Sequence, residues 1–306
     1  MGSAKSKWTT GAATRRRISR LDPMRDDEEI TRLVSETLYG DPFFAHTVFL
    51  VTFTRQACVP GIAKVLYRSG NGDVITEPRR RNDDTIVFFS EFFRRGYKSD
   101  DGRAAIARME NIHSNFLIDD ELKLYTLATV MFEPERLARQ FDCDPFSAIE
   151  LEGRWNFWRG FAAAIPLELP VDDREGFIAW MEDYERRSYR HTVDAAGIFE
   201  ALIEDWMRWF PTQWPLSRWI ARQSLIGLLD EHTRETVQVE PAHPVFARLV
   251  RLVARTYLFS TPFRIMRSDR RSSNYFGRNR PDPQDLDNVG YQPRNLPTRD
   301  GRAERV

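Results

Sequence analysis

Cysteine is nearly absent: Cys58 and Cys143 are the only two in 306 residues. Two cysteines cannot build a disulfide framework, and neither stands in the C-x-x-C or C-x-x-C-H spacing of metal clips and covalent haem attachment. An excess of one charge is absent too, with 45 Lys and Arg against 45 Asp and Glu. Nucleic-acid binders carry a basic excess, so that class is set aside. The local arginine runs, Arg15–Arg20 and Arg264–Arg280, lie near the ends and read as solvated tails. No run approaches the ~18–20 apolar residues of a membrane span. The longest candidate, Phe43–Phe53, is about half that length and contains His46. After Arg15–Arg17 comes Ile18-Ser-Arg-Leu-Asp-Pro instead of an apolar run, so neither a secretory nor a twin-arginine signal is expected. A soluble protein of a reducing cytoplasm is expected. Gly-rich phosphate loops, G-x-S-x-G elbows, Rossmann fingerprints, fixed-period repeats and regularly spaced alternating strands are all missing.

What is present is apolar and aromatic. Hydrophobic residues make up 42%, with 21 Phe, 8 Trp and 9 Tyr, enough for a large packed core. Helical spacing dominates from Asp26 onward. The pattern predicts helices over Asp26–Leu38, Phe43–Thr54 and Gly61–Tyr67, with a strand also conceivable around Val48–Phe53. Asp83 or Asp84 is expected to cap a helix striped by Ile86, Phe89 and Phe93 and closed by Gly96. Ser99 caps Arg103–Phe116, and Asp119 opens Leu122–Phe132, which Pro134 is expected to end. Asp144-Pro145 is expected to start a helix through Ala164, and Asp172 one to His191. Further helices fall near Ala195–Trp209, Leu216–Asp230 and Val245–Leu258. The expected organisation is all-α: a loose arm over 1–25, one multi-helix domain over 26–262, and an irregular tail over 263–306 wrapped on the surface.

The chemistry centres on His113. It lies four residues after Met109 and three before Phe116, on the apolar stripe with Ile106 and Ile112, while Arg103, Glu110 and Ser114 fall toward the polar face. Such an imidazole is either a core histidine bonded to a carbonyl or a ligand of a metal or haem. A non-haem metal needs further ligands at helical spacing. There is no H-x-x-x-H, and His46, His191, His232 and His243 are scattered. A di-iron bundle needs two E-x-x-H motifs, and only Glu110–His113 supplies one. A lone axial histidine in an aromatic helical core needs least else.

The block ARMENIHSNFLIDDELKLYTLATVMFEPERL, residues 107–137, resembles the signature of the MpaB-type and latex-clearing (rubber) oxygenases. His113, Phe116, Ile118, the acidic pair Asp119 and Asp120, Tyr125, Thr126, Leu127, Glu133 and Pro134 are its landmarks. Downstream, FWRGFAAAI, YERRSYRHT and the closing NVGY resemble later family segments, so the similarity spans about residues 75–291. The resemblance implies an all-α fold enclosing non-covalent haem b, with His113 as proximal iron ligand. It also implies oxidative cleavage of carbon–carbon double bonds in isoprenoid or other lipophilic substrates with dioxygen. Arg81 and Thr85 match the family's R-x-x-x-T near the distal face, and Asp84 stands where the rubber-cleaving branch has lysine, which points to the MpaB-like branch.

Each assignment has a plainer counterpart. Arg81 pairs a haem propionate or polarises dioxygen, or is an ordinary loop arginine of the run Arg79–Arg81. The Thr85 hydroxyl faces the pocket with Phe88, Phe89 and Phe92, or caps locally. Arg159 is a second propionate partner, or an arginine stacked beside Trp155 and Trp158. Tyr125 and Trp158 read as core, Glu133 as a helix-end salt bridge or a buried carboxylate poised for proton transfer, and His191 as surface or just behind the site. The competing functions are a haem or lipophilic-ligand carrier without turnover and a helical scaffold with a decayed site. Nothing in the sequence sets an oligomeric state.

Overall fold

The computed structural model describes residues 7–282 and 284–291, and the backbone of two short strands beyond them. In chain order the elements are β1 (Trp8–Thr10), α1 (Gly11–Ile18), α2 (Asp27–Arg32), α3 (Pro42–Ala57), α4 (Pro60–Tyr67) and α5 (Asp73–Thr76). Then come α6 (Pro78–Arg95), α7 (Asp100–His113), α8 (Asp120–Gln140), α9 (Ala148–Ala164), α10 (Arg174–Ser188) and α11 (Val193–Trp206). The set closes with α12 (Ser217–Ile226), α13 (Glu231–Thr236), α14 (Pro244–Ser260), β2 (Ile265–Arg267), α15 (Ser272–Phe276), β3 (Asn295–Pro297) and β4 (Ala303–Arg305). The fold is all-α and a single globular domain. The residues over Val48–Phe53, for which a strand was conceivable, are helical in α3.

Local chemistry explains most boundaries, including several that the periodicity misplaces. Asp41, Ser99, Asp119, Asp173 and Thr192 cap their helices, each side chain accepting a first-turn N–H. Gly96 ends α6 at φ 71°, where a side chain would be strained. Asp83 and Asp84 do not open α6; Pro78 at its first turn does, and Asp84 is buried inside the helix. α9 begins not at Asp144-Pro145 but at Ser147, through a capping box with Glu150. Pro134 does not end α8, which continues to Gln140. Proline has no N–H for the carbonyl four residues back, here that of Val130, so packing on both sides carries the helix past the gap.

The N-terminal segment is also more ordered than expected. From Trp8 on it forms β1 and α1; β1 pairs antiparallel with β2, Trp8 opposite Arg267 and Thr10 opposite Ile265. Ile18 is buried among Ile30, Leu33, Val34 and Met266 in a small second core. The segment after Pro262 is not wholly irregular either: it carries β2 and α15, and Phe276, Leu286 and Val289 are buried in the main core. That core is built by α3, α6, α8, α9 and α11, whose Phe, Trp and Leu side chains interlock around Phe92, Phe157, Trp158 and Phe199.

Candidate functional site

The site is a cavity of about 260 Å³ walled by α3, α4, α5, α6, α7 and the first half of α8, with Gly290 and Tyr291 closing one side. Phe49, Phe53, Phe88, Phe89, Phe92 and Phe116 supply the aromatic wall. His113, Arg81 and Thr85 all line it. The structure therefore brings together three of the four site residues expected from sequence, with the phenylalanines expected around them.

His113 ends α7, with its side chain 36% exposed at the cavity edge. Its Nδ1 lies 3.3 Å from Glu110 Oε1. Glu110 is fixed in turn by Lys123 Nζ at 3.1 Å from Oε2. The hydrogen bond to His113 is the main reason the Glu110 carboxyl sits below its ordinary pKa. In the tautomer that donates from Nδ1 to Glu110, the lone pair is on Nε2. A carboxylate behind a histidine in this way fixes ring orientation and raises basicity. Glu110 does not point away with the polar face, because residues three apart on a helix are neighbours.

Arg81 lies one turn inside α6 and is no loop arginine. Its Nη1 donates to Thr85 Oγ1 at 2.9 Å, Thr85 Oγ1 donates back to the Arg81 carbonyl at 3.2 Å, and its guanidinium lies 4.2 Å from the Phe53 ring centre. Among the described residues no carboxylate is within ion-pair distance, Asp73 acts on it only from farther off, and burial lowers the Arg81 pKa to about 10. A guanidinium held among aromatic rings without a counter-ion is a ready receptor for an anionic group. Thr85 thus does both things weighed for it, bonding locally and facing the cavity.

Arg68, and Asp84 in a structural role, complete this end. Arg68 lines the cavity, pairs with Asp73 at 2.7 Å and lies over the rings of Phe116 and Tyr291 at 5.7 and 5.1 Å. Asp84 ties the closing segment down: it accepts from the Gly290 N–H at 2.9 Å and pairs with Arg280. Arg68 follows the Leu66-Tyr67 end of α4, where nothing in the sequence marks its approach to Phe116.

Arg159 is not brought to the site. It is exposed on α9 and does not line the cavity. The inward arginine of that helix is Arg154, which is buried, donates to Glu135 at 2.8 Å and donates to the Met131 carbonyl at 2.7 Å. Two further landmarks serve the core. Tyr125 bonds Tyr189 at 2.7 Å and Glu185 at 3.2 Å, while Glu133 is buried and pairs with Arg55 at 2.8 Å, within the helix and not at its end.

The remaining histidines are spoken for elsewhere. His46 is fully buried, with Nε2 2.9 Å from Asp205 and Nδ1 accepting from Trp209 Nε1 at 2.9 Å; burial lowers its pKa. His191 Nδ1 meets the Thr236 carbonyl at 3.0 Å, His232 packs on Tyr189, and His243 caps α14. Among the described residues no three His, Cys, Asp or Glu side chains gather as metal ligands, so His113 is a lone donor. None of the described helices is long and apolar enough to cross a membrane.

The donor set suits a haem: one imidazole nitrogen with its partner nitrogen held, an aromatic surround, and a guanidinium lacking an anion. No curated protein matches the chain. A family model described as the catalytic domain of the ER-bound oxygenase mpaB/B' and rubber oxygenase matches residues 37–256, a span that contains the cavity except for Gly290 and Tyr291. The chain therefore belongs to this family of oxygenase catalytic domains.

Proposed function

We propose that the protein is a haem b-dependent oxygenase that cleaves a carbon–carbon double bond of an isoprenoid or other lipophilic substrate with dioxygen. The observation that carries the reading is His113 at the wall of an aromatic cavity, its Nδ1 braced by Glu110 and its Nε2 left available. Membership of an oxygenase family supports the reaction class.

On this reading His113 Nε2 would hold the iron and Arg81 would pair with a propionate or polarise dioxygen. The cofactor would supply dioxygen activation, which protein side chains cannot perform alone. Glu110 keeps the imidazole oriented and electron-rich. Phe88, Phe89, Phe92 and Phe116 exclude water and present an apolar surface on which an alkene is the favoured guest. Thr85 aims the Arg81 guanidinium, and its hydroxyl is the nearest hydrogen-bonding group to that cation. Asp84, through Gly290, holds Tyr291 over the same space.

The test is a product assay on haem-reconstituted protein with reductant, dioxygen and a panel of prenyl and long-chain alkenes, with aldehydes and ketones trapped as hydrazones. Oxygen-dependent carbonyl pairs from one alkene are expected, falling at least tenfold in Arg81→Ala. Haem-loaded protein that yields no carbonyl product from any alkene is a carrier, not a catalyst.

A further inference from the structure

Two more cavities adjoin the inner one, and the walls between them are few. A middle cavity of about 130 Å³ shares Phe49, Thr52, Phe89 and Val130 with the inner one. An outer cavity of about 220 Å³ shares Phe44 and Pro134 with the middle one. Val130 and Pro134 are the pair in α8 whose backbone hydrogen bond proline removes, so both partitions sit where that helix is weakest.

The outer cavity lies beneath α14, against Leu137 of α8, Phe141 just after that helix, and Leu249 and Val253 of α14. Its lining hydroxyls have partners in the protein: Thr47 donates to the Phe43 carbonyl, Ser224 to the Ala221 carbonyl and Tyr257 to Asp41. The space therefore offers a guest nothing but apolar contact. An apolar cavity of about 150 Å³ stays dry and takes up benzene, and this one is larger. α14 is a loosely held cover: of its 17 residues only Leu258 is buried, and Val245, Leu249, Leu252 and Val253 are half exposed or more. The Phe44 ring in the outer partition stacks on Tyr257 of this helix at 4.8 Å, so displacement of α14 frees the ring that divides the cavities.

We propose that the cavity beneath α14 binds a linear hydrocarbon chain, and that it is the outer end of a mainly apolar route leading past Phe44 and Phe49, with Glu36 and Arg154 the charged groups on its wall, to the His113 cavity. The binding site stands on its own geometry; its role as a substrate route rests on the oxygenase reading.

The test uses the full chain and diphenylhexatriene, a rod-like hydrocarbon that fluoresces only out of water. Saturable binding is expected, weakened at least tenfold by Ala254→Trp and by the half-exposed Leu249→Trp, with haem uptake and far-UV circular dichroism unchanged. Absent binding, or equal binding in both folded variants, overturns the site. So does sedimentation showing that the α14 face joins two copies of the chain and excludes the probe. Thr52→Phe plugs the inner partition and is expected to keep diphenylhexatriene affinity within twofold while lowering kcat/KM for a long-chain alkene at least tenfold. Unchanged kcat/KM overturns the route. Probe binding that responds to the α14 variants in a protein that takes up no haem leaves the site standing and removes the oxygenase reading.

Discussion

Glu36 stands in the wall of the middle cavity, 1% exposed, with no arginine or lysine among the described residues in ion-pair contact. Ser90 and the Ser272 N–H bond it, Arg94 helps from a distance, and Glu91 opposes. Burial outweighs these and lifts its carboxyl from 4.5 to about 7. At about 1.4 kcal/mol per pH unit, the ionised form costs the folded state about 3 kcal/mol. The sign follows from where the proton is bound. Below pH 4.5 both states are protonated and there is no penalty; between 4.5 and about 7 only the unfolded chain ionises, and stability falls; above about 7 the full penalty applies. Glu36→Gln keeps an acceptor for Ser272 and removes the titration. The expected result of urea unfolding is that the variant gains about 3 kcal/mol on wild type between pH 4 and pH 8. Asp205 and Asp230, both held near 2, titrate below this window and are common to both proteins. Parallel pH profiles for the two proteins would refute the reasoning.

Other outcomes follow from the same geometry. Glu110→Gln is expected to weaken haem affinity about 10- to 100-fold at unchanged thermal stability, read by haem transfer to apomyoglobin; unchanged affinity contradicts the bracing role. Arg159→Ala, on the outer face of α9, is expected to leave haem content and turnover within twofold, whereas a large loss would return that arginine to the site. Gly290 has φ 81°, and a Cβ there would lie 2.8 Å from Ile112 Cδ1 and 3.2 Å from Phe88 Cε2. Gly290→Ala is thus expected to cost at least about 1–2 kcal/mol, and equal melting temperatures would show that the closing segment is not seated as described. Asp205→Ala strips partners from His46, Asn82 and Arg208 and is expected to cost about 3–5 kcal/mol in chemical unfolding.

The candidate site was legible because its residues repeat at helical spacing: Thr85, Phe88, Phe89 and Phe92 share one face of α6, and Met109, Ile112 and His113 one face of α7. Periodicity misplaced what depends on a single backbone event. Pro78 opens α6 where the aspartates at 83 and 84 carry the stronger capping signal, and this places Arg81 inside the helix. Pro134 ends an isolated helix, but here neighbouring walls compensate for the lost hydrogen bond. Arg159 was chosen for its tryptophan neighbours, but α9 is buried over much of its circumference, and rotation of a few residues decides that Arg154 turns inward instead. Contacts between distant segments left no local trace: β1 finds its partner β2 some 250 residues later, and Asp84 finds Gly290.

The central assignment, iron on the His113 imidazole, is tested most directly by haem titration of the full chain and of His113→Ala, followed by the Soret band and iron content, with circular dichroism as the check on folding. One haem per chain is expected for the wild type, and loss of the histidine-ligated spectrum for the folded variant. A wild type that stays colourless with haem supplied, or a variant with an unaltered spectrum, would contradict it.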